Sequence, residues 1–133
     1  MELSRKNLQE EFTLKIEELS GENIYACYQC GKCSAGCPVA GHMDILPHAI
    51  IRLIQLGADK EALDSKTIWL CSSCLQCMAK CPKGVDLAKI MEALRTVLLR
   101  QGIDKMELKK ITAELWKKLP QQLLVAEFRK LSP

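Results

Sequence analysis

Aromatic residues are scarce in this 133-residue chain, 5% in all and two each of Trp, Tyr and Phe. That is too few to supply the paired rings on which a β-sandwich packs. No stretch alternates polar and apolar residues with period two, so strands are not expected. Long apolar runs are missing too. Ile50 to Ile54 is short and interrupted by Arg52, and the opening MELSRKNLQEEFTLKIEEL carries a charge every few residues. Neither a membrane span nor a signal-peptide core can be placed there, so a cytoplasmic protein without direct membrane insertion is expected. With only 7 Gly and 5 Pro, collagen-like and low-complexity classes are excluded. A glycine-rich dinucleotide fingerprint is absent. What remains is 48% apolar and 26% charged residues, dominated by helix formers, which suits one small helical domain.

Charge is unevenly spread over a net +3. Residues 1–26 hold three basic and six acidic side chains, residues 27–85 six and four, and residues 86–133 ten and six, giving −3, +2 and +4. The basic residues of the last segment alternate with acids instead of clustering. They read as a solvated helix face, and no nucleic-acid partner is expected.

Cysteine is the one residue in excess. The eight cysteines fall at 27, 30, 33 and 37 and again at 71, 74, 77 and 81, an offset of 44 that Pro38 and Pro82 also obey. Each half reads C-x2-C-x2-C-x3-C-P, the run that binds two iron–sulfur clusters in bacterial ferredoxins. Three thiolates spaced by two residues can wrap one cube from a single loop. The fourth is followed by a proline that turns the chain away, and in this run it ligates the other cluster. Cys27, Cys30, Cys33 and Cys81 are therefore expected to hold one [4Fe-4S] cluster, and Cys71, Cys74, Cys77 and Cys37 the other. Zinc is the rival metal, but it leaves the third cysteine of each triplet and the C-P ending without a role. A disulfide framework is disfavoured in a reducing cytosol. A nucleophilic cysteine would need a base, and every cysteine already occupies a ligand position. Gly31, Ser34, Ala35 and Gly36, with Ser72, Ser73 and Ala79, keep the ligand loops small, which serves tight turns and lets backbone N–H groups approach sulfur.

The segments around the repeats look helical, so an all-α fold is expected. Asp44 is a candidate N-cap and Pro47 suits a first turn, with Ile45, Leu46, Ala49, Ile50, Leu53, Ile54 and Leu56 as an apolar stripe ended by Gly57. A short turn follows over 59–63. Asp86 caps a second helix whose face is Leu87, Ile90, Met91, Leu94, Val97 and Leu98, before Gly102. Leu8, Phe12, Ile16 and Leu19 mark an N-terminal amphipathic helix stopped near Gly21. Leu108, Ile111, Leu115 and Leu119 mark a C-terminal one stopped by Pro120. Leu123, Leu124, Phe128 and Leu131 keep the tail apolar enough to dock on a partner or fold back. His42 and His48, at the entry to the first helix, read as surface or packing residues, with coupling to protonation the sharper alternative. Lys32, Lys80 and Lys83 beside ligands either tune a cluster or are solvated, and Trp69 reads as core.

The segments CYQCGKCSAGCPVA, MDILPHAIIRLIQLG and IWLCSSCLQCMAKCPKGVDLAKIMEALR resemble the C subunit of heterodisulfide reductase and its bacterial relatives, an α-helical ferredoxin domain, over roughly residues 20–102. Iron–sulfur subunits of glycolate oxidase, anaerobic glycerol-3-phosphate dehydrogenase and succinate dehydrogenase carry similar domains. About thirty residues follow residue 102, too few for another domain, so the free-standing subunit is the expectation. The resemblance implies a helix over 1–20, a two-cluster domain over 21–102, and a helix and partner-docking tail over 103–133. It also implies a hetero-oligomer. A flavoprotein A subunit would feed electrons to this chain, which would pass them to a B subunit whose noncubane cluster reduces a disulfide such as that of coenzymes M and B. The B subunit's paired cysteines are missing, since no two cysteines here are adjacent. The chain is thus expected to relay electrons without a catalytic site of its own. The alternative is a free or differently partnered ferredoxin serving another flavin dehydrogenase.

Overall fold

In the computed structural model, which describes residues 11–103 and 112–131, helices are joined by short loops and no strand occurs among the described residues. The chain falls into two units divided between Leu94 and Arg95. The first unit begins with α1 (Glu11–Ser20), which buries Thr13, Ile16 and Ser20. Phe12 and Leu19 are half-buried, and Leu8 lies outside the described residues. Thr13 Oγ1 donates to Ile54 O at 3.2 Å and pins α1 to the next long helix. A 3-10 turn (Ile24–Ala26), capped by the Asn23 side chain, then leads into Cys27.

The short helix α2 (Lys32–Ala35) lies inside the first cysteine run, and a 3-10 turn (Ala40–His42) follows it. Next comes α3 (Pro47–Gln55), with Pro47 at its first position and Leu46 extended before it, as a residue preceding proline must be. Asp44 is not its N-cap. It lies too early in the chain, and its carboxylate instead accepts from Lys66 N–H at 2.8 Å, Thr67 N–H at 3.0 Å, the Thr67 hydroxyl at 2.7 Å and Ile45 N–H at 2.9 Å. The buried face of α3 is Pro47, Ile50, Ile51, Ile54 and Gln55. The expected stripe is thus rotated, with Ile51 and Gln55 inside and Leu46 exposed. Gly57, at φ 67°, ends the helix.

Two short helices, α4 (Asp59–Leu63) and α5 (Thr67–Leu70), carry the chain to Cys71. The helix α6 (Gln76–Lys80) occupies the second cysteine run. The last helix of this stretch is α7 (Leu87–Arg100). Asp86 is its N-cap as expected, with Oδ1 accepting from Ala88 N–H at 2.9 Å and Lys89 N–H at 3.4 Å. Ile16, Ile24, Ile50, Ile54, Ile68, Ile90 and Leu94 are fully buried and form the centre of the unit. Each such side chain contributes about 1.5–3 kcal/mol of burial. Trp69, expected in the core, is only half-buried.

The described part of the second unit contains the end of α7, with Val97 and Leu98 buried. It also contains α8 (Ala113–Lys118) and α9 (Gln121–Leu131). Leu108, Ile111 and the side chain of Leu115 lie outside what is described. The apolar tail is itself helical after Pro120, burying Leu124 and exposing Leu123.

Candidate metal centres

The 44-residue offset of the sequence is also an offset of the backbone. Cys27 and Cys71 have similar backbone angles, φ −74°, ψ 117° and φ −59°, ψ 115°. Gln29 and its counterpart Ser73 both have positive φ, 64° and 53°. Gly31 at φ 75° and its counterpart Leu75 at φ 62° are both left-handed and each starts a one-turn helix, α2 and α6. Glycine adopts that conformation freely, whereas leucine is strained in it by about 1–2 kcal/mol. The second loop therefore retains the shape of the first at a local cost.

Two cavities lie within these loops. One, with about 390 Å³ of space, is lined by Cys71, Cys74 and Cys77 together with Cys37, and by Val39, Met43, Pro47, Leu87, Ala88 and Met91 among others. The other, with about 340 Å³, is lined by Cys27, Cys30 and Cys33 together with Cys81, and by Gly31, His48, Ile51, Val85 and Leu87. All eight predicted ligands line these two spaces, three from one repeat and one from the other in each. Leu87, at 3% exposure, borders both. In each set one cysteine is exposed, Cys30 and Cys74, and the others are half-buried. Four thiols in a largely apolar wall are the donor set that soft thiophilic iron–sulfur clusters take. The thiols stand around the cavities: among the described residues no three His, Cys, Asp or Glu side chains converge as the ligands of one ion would.

Local hydrogen bonds reach the sulfurs. Gln29 Nε2 donates to Cys27 Sγ at 3.5 Å and Val85 N–H to Cys81 Sγ at 3.3 Å. The Lys32 N–H holds the Cys30 thiol below its ordinary value; desolvation opposes this, and the Tyr28 hydroxyl and the Lys32 charge add to it. Burial pushes the Cys33 and Cys77 thiols up. Lys83 stands over the Tyr28 ring, 6.0 Å from its centre. Lys80 folds across Gly36, where a Cβ would stand.

Four ties brace the sites. Gln55, buried on α3, donates from Nε2 to Ile24 O and Cys27 O, both at 2.9 Å, and so fixes the start of the first loop. Asp44 and Thr67 join the exit of the first run to the entry of the second. Glu22 accepts from Asp86 N–H at 3.0 Å and pairs with Lys89 at 3.0 Å, joining the entry of the first run to the exit of the second. Ser34 Oγ accepts from His48 N–H at 3.1 Å and lies 2.7 Å from His48 Nδ1, while His42 is exposed. None of these ties follows from the ligand spacing. A polar residue four positions after Ile51, on what becomes the buried face of α3, was the one visible signal for Gln55.

Residues 23–85 match the family described as the 4Fe-4S dicluster domain. This segment is a helical two-cluster ferredoxin domain, and the cofactors of the chain are two [4Fe-4S] clusters. Its relatives include the iron–sulfur C subunit of the CoB–CoM heterodisulfide reductase of Methanopyrus kandleri, 34% identical over 87 residues, 65% of this chain and 45% of that protein. The second iron–sulfur C subunit of the same enzyme from Methanocaldococcus jannaschii is 36% identical over 81 residues, 61% of this chain and 43% of that protein. The C subunit of the H2:CoB-CoM heterodisulfide, ferredoxin reductase of Methanothermobacter thermautotrophicus is 30% identical over 61 residues, 46% and 33% of the two chains. The chain resembles the iron–sulfur C subunits of heterodisulfide reductases and spans less than half their length. No helix among the described residues is long and apolar enough to cross a membrane.

Proposed function

We propose that this chain is the electron-relay subunit of a heterodisulfide-reductase-type complex in the cytoplasm, taking electrons from a flavoprotein A subunit and delivering them to a disulfide-reducing B subunit. Cys27, Cys30, Cys33 and Cys81 hold one cluster, and Cys71, Cys74, Cys77 and Cys37 the other. Residues 21–102 are the cluster domain, 1–20 the segment that flanks it, and 103–133 the part that meets a partner. The observation that carries this reading is the pair of four-cysteine cavities sharing the Leu87 wall, because two closed sites side by side suit passage of electrons and leave no open iron for substrate. The relatives named as C subunits support the complex. The clusters supply the redox chemistry. The chain supplies eight thiolates, a largely apolar wall around them, and donors that set their potential.

The test is the composition of anaerobically purified protein. About eight iron and eight sulfide per chain are expected, four of each per cluster, with the spectra of cubane centres. Stoichiometric zinc with little iron overturns the reading.

A further inference from the structure

We infer that the second cysteine loop is a docking face: Leu70, Leu75 and Met78, with the lysines of the same stretch, take a redox protein that presents an apolar patch edged by carboxylates. The inference rests on the proposed function and deepens it. A relay between two subunits needs a surface for each, and residues 103–133 supply only one.

The internal repeat serves as its own control. Leu70, Leu75 and Met78 stand, 44 positions on, where the first repeat has Ala26, Gly31 and Ser34. The three large residues are 41%, 51% and 46% exposed, whereas Ala26 and Gly31 are half-buried and Ser34 is buried. Helix α3 covers the first loop: His48 N–H donates to Ser34 Oγ at 3.1 Å and Gln55 Nε2 to Cys27 O at 2.9 Å. In the second loop every residue from Ser72 to Gln76 and from Met78 to Lys80 is exposed. Three large apolar side chains thus stand in water on the open loop, each where the other repeat has a small residue. The exposed tyrosines of the first run, Tyr25 and Tyr28, differ in carrying a hydroxyl that water can engage.

The backbone of Leu75 is a second observation. Leu75 holds φ 62°, a left-handed conformation that costs leucine strain and that Gly31 adopts freely. A leucine both strained and exposed does nothing for the core. It gains only when something covers it, and strain of this kind gathers where a protein binds. Met78 lies three positions on, across the first turn of α6, so the two side chains share one face.

Charge and position define the occupant. Residues 65–84 contain Lys66, Lys80 and Lys83 and no Asp or Glu, and all three lysines are exposed. Of the carboxylates nearest in the chain, Asp86 is 3% exposed and caps α7, Asp44 is held by the N–H groups of Lys66 and Thr67, and Asp64 lies just before the stretch. An apolar contact with a basic rim selects an apolar patch edged by carboxylates. Cys74, between Leu70 and Met78 in the chain, is an exposed ligand of the proposed cluster. A protein seated here therefore meets the chain where a ligand reaches the surface, the place for an electron to cross.

Binding of the holoprotein to the A-type and B-type subunits, each purified separately, is the test. One of them should slow amide hydrogen exchange over residues 70–80, and its binding should weaken as salt is added. Leu75→Gly, and separately Met78→Ser, each installing the first repeat's own residue, should weaken that binding about tenfold. Iron content and EPR spectra should stay as in the wild type, and Leu75→Gly should not lower the urea midpoint, because it relieves the strain. Loss of iron or a lowered midpoint in that variant would make Leu75 a structural residue and overturn the inference. So would variants that bind as tightly as the wild type, slowed exchange confined to other parts of the chain, or a free holoprotein that already shields the loop with a second copy or with its own tail. If neither subunit binds the wild-type holoprotein, the proposed function falls and takes this inference with it.

Discussion

Cys37 illustrates how a single residue joins the two halves of the molecule. It belongs to the first run by sequence, yet it lines the cavity of Cys71, Cys74 and Cys77. Under the proposed ligation, Cys37→Ser weakens that cluster first: about half of the iron, one cluster's worth, is lost or converted, while the signals of the other cluster persist. Iron analysis with EPR decides it, and equal damage to both centres contradicts the assignment. Asp44 offers a second residue-scale outcome. Partial burial pushes its carboxyl up, but the N–H groups of Lys66, Thr67 and Ile45 and the Thr67 hydroxyl outweigh this and bring it from 3.8 to about 2. Because the folded value is depressed, its stabilisation is complete above the ordinary carboxylate range and is lost as pH falls toward about 2. The advantage of the wild type over Asp44→Asn in urea midpoint should therefore be largest above about pH 5 and narrow as the pH is lowered through about 4. A gap independent of pH would contradict the role given to the ionised carboxylate.

At the scale of elements, α3 and α7 each turn one face to a cysteine loop, and Leu87 at the start of α7 faces both. Ile51 on α3 borders the Cys27 cavity alone. Leu87→Ala should thus perturb the EPR spectra of both clusters, whereas Ile51→Ala perturbs one, and each should destabilise the fold by about 2–5 kcal/mol. A single-centre response to Leu87→Ala would argue that the cavities do not share this wall. Much of this layout was legible in the sequence, for a physical reason. Ligand spacing is dictated by the cube, so the repeat exposed all eight cysteines, and Asp86, Pro47 and Gly57 act through local backbone chemistry that a short window contains. The misassigned cap at Asp44 and the rotated face of α3 have the opposite origin. Asp44 answers to Lys66 and Thr67, 22 and 23 residues away, and Ile51 and Gln55 are turned inward by the cysteine loop they support. Periodicity records that a helix has an apolar face but not which neighbour will cover its margin. Likewise α2 and α6 were hidden inside runs that read as loops, because three ligands at intervals of two mask a single helical turn.

For the whole molecule the decisive property is closure. Every cysteine lines one of two four-thiol cavities, three from one run and one from the other. Among the described residues Asp44 is partnered with Thr67, Glu22 with Lys89 and Ser34 with His48. Under the proposed ligation both clusters are saturated by thiolates, which leaves no open iron at which a disulfide could be bound and split. The isolated holoprotein should therefore exchange electrons with artificial dyes while reducing no disulfide by itself. Adding a B-type partner should bring turnover, and Cys81→Ser should slow delivery of electrons to that partner without affecting the partner's own binding of substrate. Stopped-flow reduction of the partner by the pre-reduced chain separates the two effects. Disulfide reduction by this chain alone, at the rate of the assembled complex, would require a labile iron in one of the cavities and would refute the relay.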